Sequence, residues 1–169
     1  SNLIKNGGLG LVGVGEYASR TLIPAFKKAG ANFKTIVSNQ GAGPSYIGRK
    51  YGFKLASTNI DSIISDDSCN SVIISTRHNS HADLIKKLYI SGKHIFVEKP
   101  LCLNQKELDE IKKIYDQNQI LMIGFNRRFA PLVIELKKRL TKFTSPKAFI
   151  YTCNAGYLPR EHWLKDIKI

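Results

Sequence analysis

The apolar run Leu9-Gly10-Leu11-Val12 leads directly into Gly13-Val14-Gly15-Glu16-Tyr17-Ala18, and apolar residues then recur at helical spacing at Leu22, Ala25, Phe26 and Ala29. Gly30 supplies a stop, and Phe33-Lys34-Thr35-Ile36-Val37 reads as a second strand. Strand, glycine turn, helix and strand in that order form a βαβ unit whose turn has the spacing G-x-G-x-x-A. Each small residue meets a steric demand. Gly13 permits the tight turn, Gly15 lets the backbone come close to a pyrophosphate, and Ala18 lets helix pack on strand. The helix start adds free N–H groups and a positive dipole end, both suited to phosphate. A glycine turn alone is ordinary loop geometry; the flanking order makes dinucleotide binding the reading here, with Gly13, Gly15, Glu16, Tyr17 and Ala18 expected to line the cofactor.

The alternation continues along the chain. Pro44 to Tyr51 reads as a short helix ended by Gly52, Leu55-Ala56-Ser57 as a short strand, Asn59 to Ser65 as a helix and Ser71 to Ser75 as a buried strand. A helix from about Ser80 turns Ala82, Ile85, Leu88 and Tyr89 inward and stops at Gly92, and His94-Ile95-Phe96-Val97 follows as a strand. Asn104 and Glu107 have the spacing of a capping box before the apolar stripe Leu108, Ile111, Ile114 and Tyr115, and Ile120 to Gly124 is the sixth strand. This pattern predicts an α/β fold, a doubly wound, mostly parallel sheet of the dinucleotide-binding Rossmann type, over residues 1–124. Pro131 to Leu140 then reads as a helix, Thr144-Ser145-Pro146 as a break and Lys147 to Cys153 as a strand. Residues 125–169 are too few for a core of their own and are expected to be the incomplete start of a second, α+β domain.

The 169 residues, 43% of them hydrophobic, suffice for a core, and no apolar run approaches the roughly 18 residues of a membrane helix. The start lacks an apolar leader and Ser1-Asn2 resembles a processing scar, so a soluble, cytoplasmic protein without a membrane partner is expected. Cys69, Cys102 and Cys153 are odd in number and contain no C-x-x-C pair, which points to reduced thiols rather than a disulfide framework or metal site. Cys102 closely follows Lys99-Pro100 but has no activating motif around it. The net charge of +13 raises nucleic acid as a partner. The lysines, however, are scattered over the polar faces of amphipathic helices, with no recognition-helix or aromatic-platform motif between them, so no nucleic-acid partner is expected.

In a doubly wound sheet, ligands sit beyond the carboxyl ends of the strands. The residues there are polar: Ser38-Asn39-Gln40 after the second strand, Thr76-Arg77-His78-Asn79-Ser80-His81 after the fourth, Glu98-Lys99-Pro100 after the fifth and Asn126-Arg127-Arg128 after the sixth. This series resembles the Gfo/Idh/MocA family of glucose-fructose oxidoreductase and inositol dehydrogenase type across nearly the whole chain. Glu98-Lys99-Pro100 is its most specific mark, joined by Ser75 to His81 and by Gly124-Phe125-Asn126-Arg127-Arg128-Phe129. Asn154 to Pro159 with His162-Trp163 is similar to a subgroup fused behind a zinc-type alcohol dehydrogenase domain.

The resemblance implies an NAD(P)-dependent oxidoreductase acting on a sugar-like alcohol. Lys99 would reach the nicotinamide ribose and the substrate hydroxyl as hydrogen-bond donor or proton relay, Glu98 would orient it, and Pro100 would fix the backbone, with a cis bond as one way of doing so. Ser38, Asn39, Thr76, Arg77, His81, Asn126 and Arg128 are expected at the cofactor, and Arg127 and Trp163 at the substrate. Plainer readings stand beside these: an exposed Glu98–Lys99 ion pair, a packing or capping role for His81, solvated arginines, and Trp163 as core filler.

Two departures from the family pattern matter. No acidic residue ends the second strand where one would bind the adenosine ribose, and Arg49 and Lys50 lie downstream, so NADP is expected over NAD. The family's catalytic Asp and His fall beyond residue 169, so the chain alone is expected to bind cofactor but turn over poorly. The full-length form is expected to be a homo-oligomer. The alternative is a noncatalytic dinucleotide-binding sensor or scaffold module, since a fold does not by itself establish a function.

Overall fold

The computed structural model describes residues 7–39, 43–152, 154 and 156–157. Its contacts divide the chain after Gly124 into two units. The first is built on strands β1 (Gly8–Val12), β2 (Asn32–Val37), β3 (Leu55–Ser57), β4 (Cys69–Ile74), β5 (His94–Val97) and β6 (Leu121–Ile123), in the order β3-β2-β1-β4-β5-β6. Every neighbouring pair is parallel.

The sheet buries both faces, which is why its central strands are continuously apolar rather than alternating. All five residues of β1 are buried. Successive side chains point to opposite faces, so Leu11 and Ile73 enter one core with Ile23, Phe33 and Ile36, while Val12 and Ile74 enter the other with Ile85, Leu88 and Ile111. The chain steps outward from β1 to β3, then crosses back to β4 and steps outward the other way. That reversal opens a crevice beyond the carboxyl ends of β1 and β4. An apolar cleft of about 220 Å³, lined by Leu9, Phe26, Phe96 and Met122 among others, lies at the opposite, amino edge.

The first helix differs from its expected register. It begins with a π-helical turn, Ala18–Leu22, before α1 (Ile23–Lys28). Pro24 has no N–H to give the Arg20 carbonyl and its ring crowds that oxygen, and a widened turn relieves both. The extra residue rotates the apolar face: Leu22 and Ile23 are buried, whereas Ala25 and Ala29, expected inward, are exposed.

The later helices are α2 (Gly43–Tyr51), α3 (Asp61–Ile64), α4 (His81–Ile90) and α5 (Gln105–Ile114). In α4 the expected Ala82, Ile85, Leu88 and Tyr89 are all buried. At the start of α5 the Asn104 side chain accepts the Glu107 N–H at 3.0 Å, and the Glu107 carboxylate reaches back to the Leu103 N–H at 2.8 Å. A salt bridge of 2.6 Å between Lys86 and Glu110 ties α4 to α5.

Cys69, fully buried at the start of β4, has its thiol pushed up to about 11 by burial. It is therefore expected to stay unmodified by a thiol reagent at mildly alkaline pH in the native chain and to react once the chain is denatured, as peptide mass spectrometry would show. Native-state labelling as fast as that of half-buried Cys102 would contradict this burial.

The second unit contains a 3-10 turn, Asn126–Phe129, and α6 (Pro131–Leu140), on which Leu132, Val133, Ile134 and Leu136 are exposed. The strand expected over 147–153 is not formed. Residues 147–152 have no regular structure, and Cys153 is outside the described residues. A strand exists only with a hydrogen-bonded neighbour, and none of the described residues pairs with this segment.

Candidate functional site

The polar residues of the first unit gather at the carboxyl edge because each follows a parallel strand. Gly13 leaves β1 with φ +91°, its N–H donating to the Val37 carbonyl at 2.9 Å, and a Cβ placed there would stand 2.5 Å from the Ser75 carbonyl oxygen. The turn thus lies flat against the end of β4, a position that excludes any side chain. Gly15 is the opposite case. It is exposed, and a Cβ on it would meet nothing within 4 Å. Ala18 is fully buried, as close packing of the helix requires. Beyond Gly15, the Ser19 N–H donates to the Gly15 carbonyl at 3.0 Å and exposed Glu16 pairs with Arg20 at 2.9 Å, while Tyr17 is 45% exposed.

At the end of β2, Ser38 is buried, with its N–H donating to the Ser57 carbonyl at 3.1 Å, and Asn39 is exposed. Gln40 is outside the described residues. Arg49 and Lys50 occupy the last turn of α2, roughly 9 Å along the helix axis from its first residue. The structure therefore sets these two cations at the far end of α2 from the loop after β2. Lys50 instead lies 5.4 Å from the centre of the Tyr51 ring, and the Tyr51 hydroxyl donates to the Ser19 carbonyl at 3.2 Å, fastening α2 to the first helix. The sequence pattern gave no sign of this tie, which joins groups far apart in the chain.

The loop after β4 is held by its own hydroxyls. Thr76 Oγ1 and Ser80 Oγ are 2.6 Å apart, and Ser80 Oγ donates to the Arg77 carbonyl at 2.8 Å, leaving Arg77 exposed. The His78 ring meets the His81 ring edge-on at 5.8 Å. Burial, with the charges of His81 and Lys99 adding to it, holds the His78 imidazole below its usual range. His81 is fully buried, with Nδ1 2.7 Å from the Pro100 carbonyl and Nε2 3.1 Å from the Thr76 carbonyl. Its ring is part of the packed interior, in keeping with the packing role that the sequence offered beside a place at the cofactor.

After β5 the Glu98 N–H donates to the Ile74 carbonyl at 2.9 Å, continuing the sheet by one bond. Its half-buried carboxylate lies against Gly124, where an added Cβ would be 2.9 Å from Oε1. Gly124, the residue after β6, gives that carboxylate a place free of a side chain, a contact the sequence pattern did not disclose. Lys99 is exposed and the Lys99–Pro100 peptide is cis.

In the second unit Asn126 is half-buried, Arg127 donates to the Tyr151 hydroxyl at 2.9 Å, and the Arg128 guanidinium stands 4.9 Å from the Phe129 ring centre. Trp163 is outside the described residues, as is most of the segment that resembled the zinc-dehydrogenase-fused subgroup. No group of side chains able to hold a metal ion occurs among the described residues, and no helix among them is long and apolar enough to cross a membrane.

A family model described as an oxidoreductase family with an NAD-binding Rossmann fold matches residues 8–125. The chain belongs to the Gfo/Idh/MocA oxidoreductase family. It is 31% identical to the scyllo-inositol 2-dehydrogenase (NAD(+)) of Bacillus subtilis over 157 residues, 90% of this chain and 45% of that one. Among solved structures, a levoglucosan dehydrogenase in complex with NADH and levoglucosan matches with a TM-score of 0.71 and 27% identity, over 81% of this chain and 40% of that chain. The fold is also that of scyllo-inositol dehydrogenase from Lactobacillus casei with bound NAD(H) and scyllo-inositol, at TM-score 0.73 and 22% identity, over 82% of this chain and 42% of that one. The chain thus spans less than half the length of these Gfo/Idh/MocA relatives.

Proposed function

We propose that this chain forms the cofactor half of an oxidoreductase acting on a sugar or sugar-derived alcohol or ketone, holding a nicotinamide dinucleotide in the crevice beyond β1 and β4. The observation that carries the reading is the contrast between Gly13, closed against β4, and Gly15, open above a helix start. An open, side-chain-free turn at a helix N-terminus is what a pyrophosphate requires of the backbone. Gly15, Glu16 and Tyr17 would hold the pyrophosphate, Ser38 and Asn39 the adenosine ribose, and Thr76, Arg77, Lys99 and Pro100 the nicotinamide end.

The bound cofactor supplies the hydride chemistry. This chain's residues supply position and a proton path: Lys99, exposed at the crevice, donates a hydrogen bond to the substrate hydroxyl or carbonyl oxygen and passes its proton, and Glu98 orients Lys99. Residues 125–169 begin the domain that would complete the substrate pocket and assemble the oligomer, and the family resemblance assigns Asn126 and Arg128 to cofactor and Arg127 and Trp163 to substrate. The lack of a carboxylate at Ser38-Asn39 supports acceptance of NADP in preference to NAD. Arg49 and Lys50, at the far end of α2, add little to that preference.

Thermal unfolding of the chain with NAD, NADH, NADP and NADPH tests the reading. With all four at one concentration, ~100 times the dissociation constant of the tightest, that cofactor is expected to add about 2.7 kcal/mol and the NADP pair to shift melting more than the NAD pair. No shift with any of the four would contradict cofactor binding, and a larger shift from the NAD pair would reverse the preference.

A further inference from the structure

His81 opens α4, yet its ring serves two loops. Nδ1 stands 2.7 Å from the Pro100 carbonyl, in the loop that leaves β5, and Nε2 stands 3.1 Å from the Thr76 carbonyl, in the loop that leaves β4. The ring is fully buried, so neither carbonyl has water as an alternative on that side. The β5 loop is fastened at its start by the Glu98 N–H on Ile74 and at its end by the Leu103 N–H on the Glu107 carboxylate. Between those points it passes over His81, and Lys99 is the residue joined to the tethered Pro100.

Each partner is a carbonyl, which can only accept, so a ring nitrogen holds its partner by carrying the N–H donor. The shorter contact assigns that donor to Nδ1 and Pro100. We propose that His81 is a positioning residue for Lys99: its Nδ1–H holds the Pro100 carbonyl and thereby fixes the Glu98-Lys99-Pro100 backbone at the crevice, without touching cofactor or substrate. The inference rests on the proposed function only for what Lys99 does; the tether itself is independent of any ligand.

Three substitutions separate the two ring nitrogens. His81→Asn keeps an amide N–H near the place of Nδ1, His81→Gln moves it toward the place of Nε2, and His81→Leu keeps bulk without a donor. Amide hydrogen exchange over residues 98–103 of the cofactor-free chain reads the loop, with residues 85–89 of α4 as the internal control. Gln and Leu are expected to speed exchange of the loop about five- to tenfold with the control unchanged, the loss of one buried hydrogen bond, while Asn restores it to within about twofold. Affinity for the preferred nicotinamide cofactor is expected to follow the same order.

Equal exchange in Asn and Leu, or a control that moves with the loop, would overturn the proposal, as would unfolding of all three variants, which would make His81 a core residue. If Leu alone unfolds, the Asn and Gln pair decides. Should the loop respond as expected while the parent chain binds no nicotinamide cofactor, the proposed function fails and the tether stands. Should cofactor bind normally while the loop does not respond, the tether fails and the function stands.

Discussion

Gly13→Ala is expected to destabilise the chain by about 3 kcal/mol or more, a large share of the ~5–15 kcal/mol that hold a domain of this kind together. Two costs add. The residue sits at φ +91°, which an L side chain rarely adopts, and the new Cβ would be driven to 2.5 Å from the Ser75 oxygen and 2.7 Å from its carbonyl carbon. Both are backbone atoms at the end of a central strand, whose Ser75 N–H is already bonded to the Val12 carbonyl at 2.8 Å. They cannot swing aside as a flexible side chain would. Relief requires β1 and β4 to part, at the centre of the sheet. The melting temperature should fall by roughly 6–12 °C. An alanine variant melting with the parent would show that the turn does not lie against β4.

Replacing Lys99 by Met in a protein that carries the complete substrate domain is expected to lower turnover about 10²- to 10⁴-fold, the usual reach of a positioned proton donor. Cofactor affinity should change only a few-fold, since in the proposed mode most of the dinucleotide contact would lie along the loops after β1, β2 and β4. Lys99 is exposed, so its removal leaves no cavity and no orphaned partner in the core, and melting should be unchanged. That separation makes the result interpretable: lost turnover with retained binding marks a catalytic role. Unchanged turnover would remove Lys99 from the chemistry, whereas cofactor binding without turnover in the parent would favour a noncatalytic dinucleotide-binding module.

The doubly wound sheet was legible in the sequence because its causes are local. Apolar strands such as Ser71 to Ile74, glycine stops such as Gly30 and Gly92, and the Asn104–Glu107 cap each announce themselves within a few residues. The order of those elements then leaves few topologies open. Contacts made across the chain were less readable. Periodicity placed Ala25 and Ala29 inward, and Pro24, the one residue able to predict a widened turn, sat in plain view. His81 read either as a residue at the cofactor or as a packing residue, and the carbonyls that meet its ring come from residues 76 and 100, which periodicity could not bring together. Arg49 and Lys50 lie downstream of the second strand in sequence, and the structure sets them in the last turn of α2. The segment from Lys147 had strand composition, but composition supplies no neighbour to pair with.

Calorimetric titration of the parent chain and of Gly15→Ala with the favoured nicotinamide cofactor tests the central claim most directly. A Cβ at Gly15 meets nothing in the protein within 4 Å, so the variant should fold and melt as the parent does. The same Cβ would occupy the face offered to the pyrophosphate, and affinity should fall about tenfold or more. A variant that folds normally and binds as tightly as the parent would place the dinucleotide somewhere other than the turn between β1 and the first helix, and the account would be wrong.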